Sequence, residues 1–308
     1  MSNLNTEIIE LASEGFFYPS DSVLSSGVVD VKPLTAAEED ILCSGNLLKR
    51  GLVLPRILSR ILPNVTDIDN ILQCDVSTIL LNSRILNYGS TGKIKGNCPQ
   101  CDTAYESDVS FVFKPIPFEF SGLQRGKNIL IFVFPKSQST LLFRLPTWKE
   151  HQRWKSLDWV EFSKKITLSI DSEYDINEFY DRLSAADNKA FRDFYNNQTP
   201  GFITNWKIKC DTCGNVSKSN VDITIDIFNV YPESKPIIHG EIFNLCYHTN
   251  GAFTHNEVYN MPINLRNFYI KKLVDLKNEE DDQVKKREAE VKRSMSSSKK
   301  PSAPPIKH

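Results

Sequence analysis

The spacing of apolar residues changes several times along the chain, and each change marks a segment. From Thr35 the spacing is helical. In LTAAEEDILCSGNLLKRG the apolar face is Ile41, Leu42, Leu47 and Leu48; Thr35 and Glu38 are placed as a capping box, and Gly51 ends the helix. LPRILSRIL follows as a short amphipathic helix with Pro55 in its first turn. VTDIDNILQCDVSTILLNSRILNYG gives two more helical pieces, with Asp67 and Asp75 near their starts and Gly89 as the stop. Residues 35–89 therefore predict a bundle of about four short helices. Upstream, Phe17–Pro33 has no clear period and is expected to be extended and loop-like.

Beyond Gly89 the period falls to two. YESDVSFVF and SKSNVDITI alternate as strands do, and NILIFVFPKSQSTLLFRLPT is two apolar runs around PKSQS, a β-hairpin. The middle then turns helical, through WKEHQRWKSLDWVEFSKKITLSI and DINEFYDRLSAADNKAFRDFYNNQTPG. Asp175 and Ala186–Asp187 are start points there, and Pro200-Gly201 is a stop. KPIIHGEIFNLCYHTNG predicts a helix of mixed apolar character. A long helix begins near Pro262, loses its apolar stripe and becomes charged. From Ser294, SMSSSKKPSAPPIKH is of low complexity and is expected to be disordered.

The cysteines change this picture most. Cys98-x-x-Cys101 and Cys210-x-x-Cys213 repeat one spacing, and Lys-Ile-Lys precedes both pairs: Lys93-Ile94-Lys95 and Lys207-Ile208-Lys209. Each pair is followed by a period-two segment. Two hairpin tips, each presenting two sulfurs, would make a four-thiolate structural Zn2+ site of zinc-ribbon geometry. Pro99 and Gly214 suit the turns such tips need. Between the halves lie 108 residues, Asp102–Lys209, so the intervening segment is expected to leave and return to one place. A thioredoxin-like redox pair would follow a strand and open a helix, and both pairs here sit between strand-like segments. Cys43, Cys74 and Cys246 lie in apolar helical contexts and are expected to be core.

Composition adds limits. The chain has 308 residues, 40% hydrophobic and 24% charged, with a formal net charge of −1. Nothing global attracts it to nucleic acid or a membrane surface, and no apolar run reaches a membrane span. The first fifteen residues lack the basic start and apolar run of a secretory signal, so a reducing cytoplasm is the expected compartment. Lys285–His308 carries eight basic and two acidic side chains, leaving the remainder of the chain at −7. That tail, with Lys93, Lys95, Lys207, Lys209 and Lys218 around the knuckles, supports the alternative of a zinc-ribbon nucleic-acid-binding protein.

No catalytic constellation is evident. GLQRGKN lacks the phosphate-loop spacing, no G-x-S-x-G elbow occurs, and His239-Gly240-Glu241 lacks the downstream P-C-x-x-C of zinc deaminases. Either His248 or His255 could ligate a metal, but a helix-end or loop histidine is more often a surface or cap residue. A four-thiolate ion has no open position and polarises no substrate.

Three stretches in order carry a resemblance: LTAAEEDILCSGNLLKRGLVLPRIL with QCDVSTILLNSRILNYG; ILIFVFPKSQSTLLFRLPT with helices ending DNKAFRDFYNNQTPG; and GAFTHNEVYNMPINLRNFYIKKL. Together, over about residues 35–275, the chain resembles the baseplate hub assembly proteins of T-even-like contractile-tailed phages. The resemblance implies a non-enzymatic protein that helps to build the central hub, in the cytoplasm of the infected bacterium or in the virion baseplate. Its partners would be other baseplate hub or tail proteins. The expected fold is α+β: a helical bundle joined to a split zinc ribbon that carries an inserted α+β domain. The expected divisions are an extended 1–34, a helical 35–89, a first ribbon hairpin 90–114 and an inserted hairpin plus helical domain 115–202. A second ribbon hairpin 203–231, a helical 232–276 and a charged helix end with basic tail 277–308 complete them. Tyr259, Met261, Arg266 and Tyr269 are the expected partner-binding residues, since aromatics, Met and Arg are enriched at interface centres. Phe268 and Leu273 are expected to pack on the bundle.

Overall fold

In the computed structural model the described residues are 6–112, 114–202, 205–220 and 223–297. The N-terminal segment pairs with itself. β1 (Glu7–Glu10) runs antiparallel to β2 (Val28–Val31), and Ile9, Val29 and Val31 are buried. Between them the chain doubles back at Gly15, whose φ is +68° and where a Cβ would lie 2.5 Å from Gly27 N. Phe17–Pro33, read from sequence as loop-like, thus contains a strand and a 3₁₀ turn (Val23–Ser26). Four-residue strands are too short to display a period.

The helical region starts as its capping box predicts. Thr35 donates to Glu38 through its N–H at 2.8 Å and its hydroxyl at 2.6 Å, and α1 (Ala36–Leu42) follows. The single helix expected up to Gly51 is two, because Ser44 caps a second one, α2 (Gly45–Lys49). α3 (Val53–Ile61) buries Val53, Ile57, Leu58 and Ile61, the i, i+4, i+5, i+8 face of an amphipathic helix. After a 3₁₀ turn (Ile68–Asn70) comes α4 (Gln73–Tyr88), which is buried along most of its length.

Asp75 does more than start this helix. It is fully buried, and its carboxylate accepts from Ser13 N–H at 2.9 Å, Ser13 hydroxyl at 2.7 Å and Tyr18 hydroxyl at 2.7 Å. Burial pushes its pKa up, and these three donors pull against that rise. The Tyr18 oxygen in turn accepts from Leu72 N–H at 2.9 Å. One carboxylate therefore anchors the N-terminal turn to the start of α4.

β3 (Thr91–Asn97) and β4 (Ala104–Ser110) form the first antiparallel hairpin. The intervening segment then builds a three-stranded sheet in the order β5-β6-β7, from β5 (Leu130–Val133), β6 (Thr140–Phe143) and β7 (Thr167–Ile170). α5 (Trp148–Trp154) and α6 (Trp159–Ile166) lie between β6 and β7, and α7 (Ile176–Arg182) and α8 (Ala185–Gln198) follow. The helix expected through ITLSI instead gives way to β7. A hairpin alone is marginal, and β6 gains a second partner from these four residues. Phe132, Phe134 and Phe143 of the sheet meet Phe191 of α8 at centroid distances of 5.2, 6.0 and 5.2 Å.

This aromatic core is continuous with that of α3 and α4. Gln73 N–H donates to Pro146 carbonyl and Trp148 N–H to Ile71 carbonyl, both at 3.0 Å. At its other end the segment closes on itself: Ile116 N–H donates to Gly201 carbonyl at 2.9 Å. β8 (Asn205–Lys209) and β9 (Val216–Asn220) form the second hairpin. α9 (Lys235–His248), α10 (His255–Tyr259) and α11 (Ile263–Ser297) end the described chain. They share a smaller core with α1, made by Ala36, Cys43, Ile238, Ile242, Leu245 and Val258. The disorder expected from Ser294 is not seen as far as Ser297, where the helix still runs; the rest of that expectation lies outside the described residues. No described helix is long and apolar enough to cross a membrane.

Replacing Asp75 by Ala strands three donors in the interior. Each unsatisfied buried donor costs about 1–3 kcal/mol, so a loss of about 3 kcal/mol or more in urea unfolding is expected. Tyr18→Phe should cost about half as much. A loss below about 1 kcal/mol for Asp75→Ala would mean that the N-terminal turn is held by other contacts.

Candidate metal centre

The two Cys-x-x-Cys tips fold alike. Cys98 N–H donates to Thr103 carbonyl at 2.9 Å and Asp102 N–H to Cys98 carbonyl at 2.8 Å; Cys210 N–H donates to Asn215 carbonyl at 2.8 Å and Gly214 N–H to Cys210 carbonyl at 2.9 Å. The residue after the second cysteine is left-handed in both, Asp102 at φ 53° and Gly214 at φ 71°. The turn requirement therefore falls on Asp102 in the first tip rather than on Pro99. Asp is one of the few non-glycine residues that enters this region readily.

These matched turns aim four sulfurs at one point. All four Sγ atoms lie within 4.8 Å of one another, and the cross-hairpin pairs Cys98–Cys213 and Cys101–Cys210 are each 3.7 Å apart. That is far beyond a disulfide bond, and all seven cysteines are free thiols. A regular tetrahedron with metal–sulfur bonds of about 2.3 Å has edges of about 3.8 Å, so the four sulfurs can hold a tetrahedral ion. Cys98 and Cys210 are buried, and Cys101 and Cys213 face outward.

The local electrostatics favour a cation. Backbone N–H groups of Gln100 and Cys101 draw the Cys98 thiol below its usual pKa, and the Thr103 side chain and backbone draw Cys101 down to about 6. At Cys213 the Asn215 N–H also favours the thiolate. Burial and the neighbouring sulfurs outweigh it and push that thiol up to about 12. Hydrogen bonds thus favour anionic sulfur on the first hairpin, while burial and the neighbouring sulfurs oppose it at Cys213.

Arg84 of α4 seats this unit. Its guanidinium donates to three main-chain carbonyls: Ile227 at 3.1 Å, Gly89 at 2.9 Å and Thr91 at 2.7 Å. It thus joins the end of α4, the first residue of β3 and the 3₁₀ turn that follows β9 (Ile225–Phe228). It also lies over the Tyr88 and Phe111 rings. A Cβ on Gly92 would come within 2.3 Å of the Phe111 ring, so a glycine is required for that packing. Sequence reasoning passed over Arg84; an arginine amid an apolar helical run, STILLNSRILNY, was the available signal.

The residues expected at a partner surface separate. Arg266 is buried, 1% exposed, and donates to Glu39 at 2.6 Å; it is a core ion pair and not a surface group. Glu39 also accepts from Tyr88 hydroxyl at 3.0 Å. Tyr259, half-buried, donates to Asp40 at 2.7 Å, and its ring stacks between His239 and His255. Asp40 also meets His239 and Lys235, both at 3.1 Å, so this histidine has a carboxylate partner. Met261 and Tyr269 are half-buried, Tyr269 against Phe253. Phe268, expected to pack inward, is 52% exposed. The sequence reading missed Phe243 and Tyr247, stacked at 5.6 Å on the outside of α9. A helix whose apolar residues are spread beyond one face, as in IIHGEIFNLCY, signals a second occupied or exposed face. The lysines of the first tip do not form a free basic patch: Lys93 and Lys95 both pair with Glu106, at 2.8 and 3.6 Å.

One family matches the chain. Its profile, described as T4 bacteriophage base plate protein, spans residues 18–229, about two thirds of the sequence. The chain belongs to this baseplate protein family. The matched span begins at Tyr18, ends just after the Arg84-bound turn, and holds both knuckles and everything between them. No curated protein and no solved structure matches the chain. Membership makes the chain a structural protein of the phage tail, and the four-cysteine cluster belongs to the matched part; α9–α11 lie beyond it.

Arg84→Met should cost about 1–3 kcal/mol, because the buried Ile227 carbonyl is left without its donor while those of Gly89 and Thr91 lie nearer solvent. Amide exchange should rise first in Thr91–Ser110 and Ile225–Phe228. Unchanged exchange in those two segments would show that something else seats the hairpins.

Proposed function

We propose that this baseplate protein is a non-enzymatic component or assembly factor of the central hub, with one structural Zn2+ bound by Cys98, Cys101, Cys210 and Cys213. The observation that carries the reading is the convergence of both knuckles within a chain that belongs to a baseplate family. Zinc is favoured by the donor set, since four thiolates in tetrahedral array suit zinc or an iron–sulfur centre, and a single ion of about 2.3 Å bond length fits the spacing. The site's work is mechanical. Each hairpin is a two-stranded sheet that would be marginal alone, and a shared ion makes one rigid unit of the two.

Other tail proteins are the natural partners. Tyr259, Met261 and Tyr269 remain partly accessible on the C-terminal helical region, and exposed Phe268 joins them in place of Arg266. The nucleic-acid alternative loses support with the pairing of Lys93 and Lys95 to Glu106.

Two measurements test the proposal. Elemental analysis of the purified chain should find one zinc per chain, with the four site thiols protected from alkylation until a chelator is added. Cys210→Ser should lose both the metal and that protection, and metal-free wild-type protein with rigid hairpins would refute the zinc assignment. Separately, capture of the tagged chain from infected cells should bring down hub proteins, and the protein content of mature virions decides between a resident subunit and a transient assembly factor. Recovery of nucleic acid without tail proteins would overturn the hub reading while leaving the zinc result untouched.

A further inference from the structure

The last part of α11 is exposed to solvent along its length. Every residue from Val274 to Ser294 is exposed, and Leu276, Val284 and Val291 are apolar residues 56%, 52% and 52% exposed. At 100° per residue these three share one stripe, about 80° wide, with Glu280 and Arg287 between them. The charges on this stretch are not mixed at random. Four acids in a row, Glu279–Asp282, are followed after Gln283-Val284 by three bases in a row, Lys285–Arg287.

The stripe is complementary to itself only when reversed. Two copies aligned antiparallel about Gln283-Val284 set Leu276 on Val291 and Glu280 on Arg287 at both ends. On one flank Lys277, which pairs with Glu280 of its own helix at 2.8 Å, comes within about one turn of Glu288 of the other copy. Aligned in parallel, Glu280 would face Glu280 and Arg287 would face Arg287. Like charges directly opposed disfavour that alternative. Identical surfaces that match after a two-fold rotation are the condition for a closed dimer.

From this charge complementarity we propose that the exposed end of α11 is a homodimerisation element, with a second copy of this chain as its antiparallel partner. The stripe from Leu276 to Val291 is about 24 Å long at 1.5 Å per residue. So short a contact gives reversible association, in the micromolar range and weakened by salt. The inference is independent of the zinc site and of the hub assignment.

The test is the mass of the full-length protein by light scattering after size exclusion, over a concentration series at low and high salt. Wild type should move from 35.1 kDa to twice that mass. E280R and R287E should each remain monomeric. An equimolar mixture of the two should recover the dimer. So should the double variant E280R/R287E, because the two exchanged charges again face each other across the antiparallel pair. Recovery on mixing also excludes misfolding as the cause of the single-variant loss. Orientation is read by mild oxidation of a mixture of L276C and V291C, with wild type as the background for the native thiols. A crosslink between the two variants supports the antiparallel pair, and L276C joined to itself overturns it. A monomer at every concentration, or a dimer indifferent to both charge reversals, also overturns the proposal.

Discussion

The Arg84 guanidinium is the contact on which the arrangement of parts depends. A buried arginine cannot shed its charge, so its N–H groups must find acceptors or the fold loses several kcal/mol. Here the acceptors are main-chain carbonyls from three places: the end of α4, the start of β3 and the turn after β9. A planar fork fixes direction as well as distance, which a lysine would not do. The first hairpin leaves α4 at a set angle, and the chain emerging from the second is returned to the same point. The sulfur cluster lies at the far tips of those two hairpins. Its geometry is therefore inherited from a charge buried at their base.

A second buried cation secures the part of the chain that lies beyond the family match. Arg266 of α11 reaches Glu39 of α1, and Glu39 also takes the Tyr88 hydroxyl from α4. Burial pushes Glu39's pKa up, and the Arg266 charge pulls against it. Such a pair adds little net stability over an apolar contact of the same shape, but removal of either partner is costly because the other is left charged in the interior. The pair thus serves registry. It sets where α11 begins its run outward, and so which face of its far end is presented.

Local signals in the sequence proved legible and long-range ones did not. The Thr35–Glu38 capping box, the Asp175 helix start and the twin Cys-x-x-Cys tips rest on contacts within a few residues, and each was readable from spacing. Ser13 with Asp75, Arg84 with Ile227 and Glu39 with Arg266 join residues 62, 143 and 227 positions apart. Nothing in a single sequence marks which buried charge meets which acceptor. Asp75 was visible as a helix-start residue because that role is local, while its true partners were not. Arg266 was misread for the same reason: composition makes an arginine among aromatics look like an interface, and only the fold shows it facing Glu39. The strand β7 was hidden by its neighbour, since α6 runs into it with no glycine or proline between.

The separation of the two knuckles by 108 residues suggests an ion whose task is to close a long loop. The packing argues otherwise. Loop closure costs only about (3/2)RT ln n, and here it is already met by other contacts. Ile116 meets Gly201 beside the hairpins, and the inserted sheet shares its aromatic core with α3 and α4. With the loop closed without a metal, an ion at the four sulfurs would act on the hairpins themselves, each two strands wide and exposed at its tip. Its contribution would be stiffness at the outer end of a unit whose inner end Arg84 already fixes. A rigid projection held at both ends suits a part that must present one shape to its neighbours in an assembly.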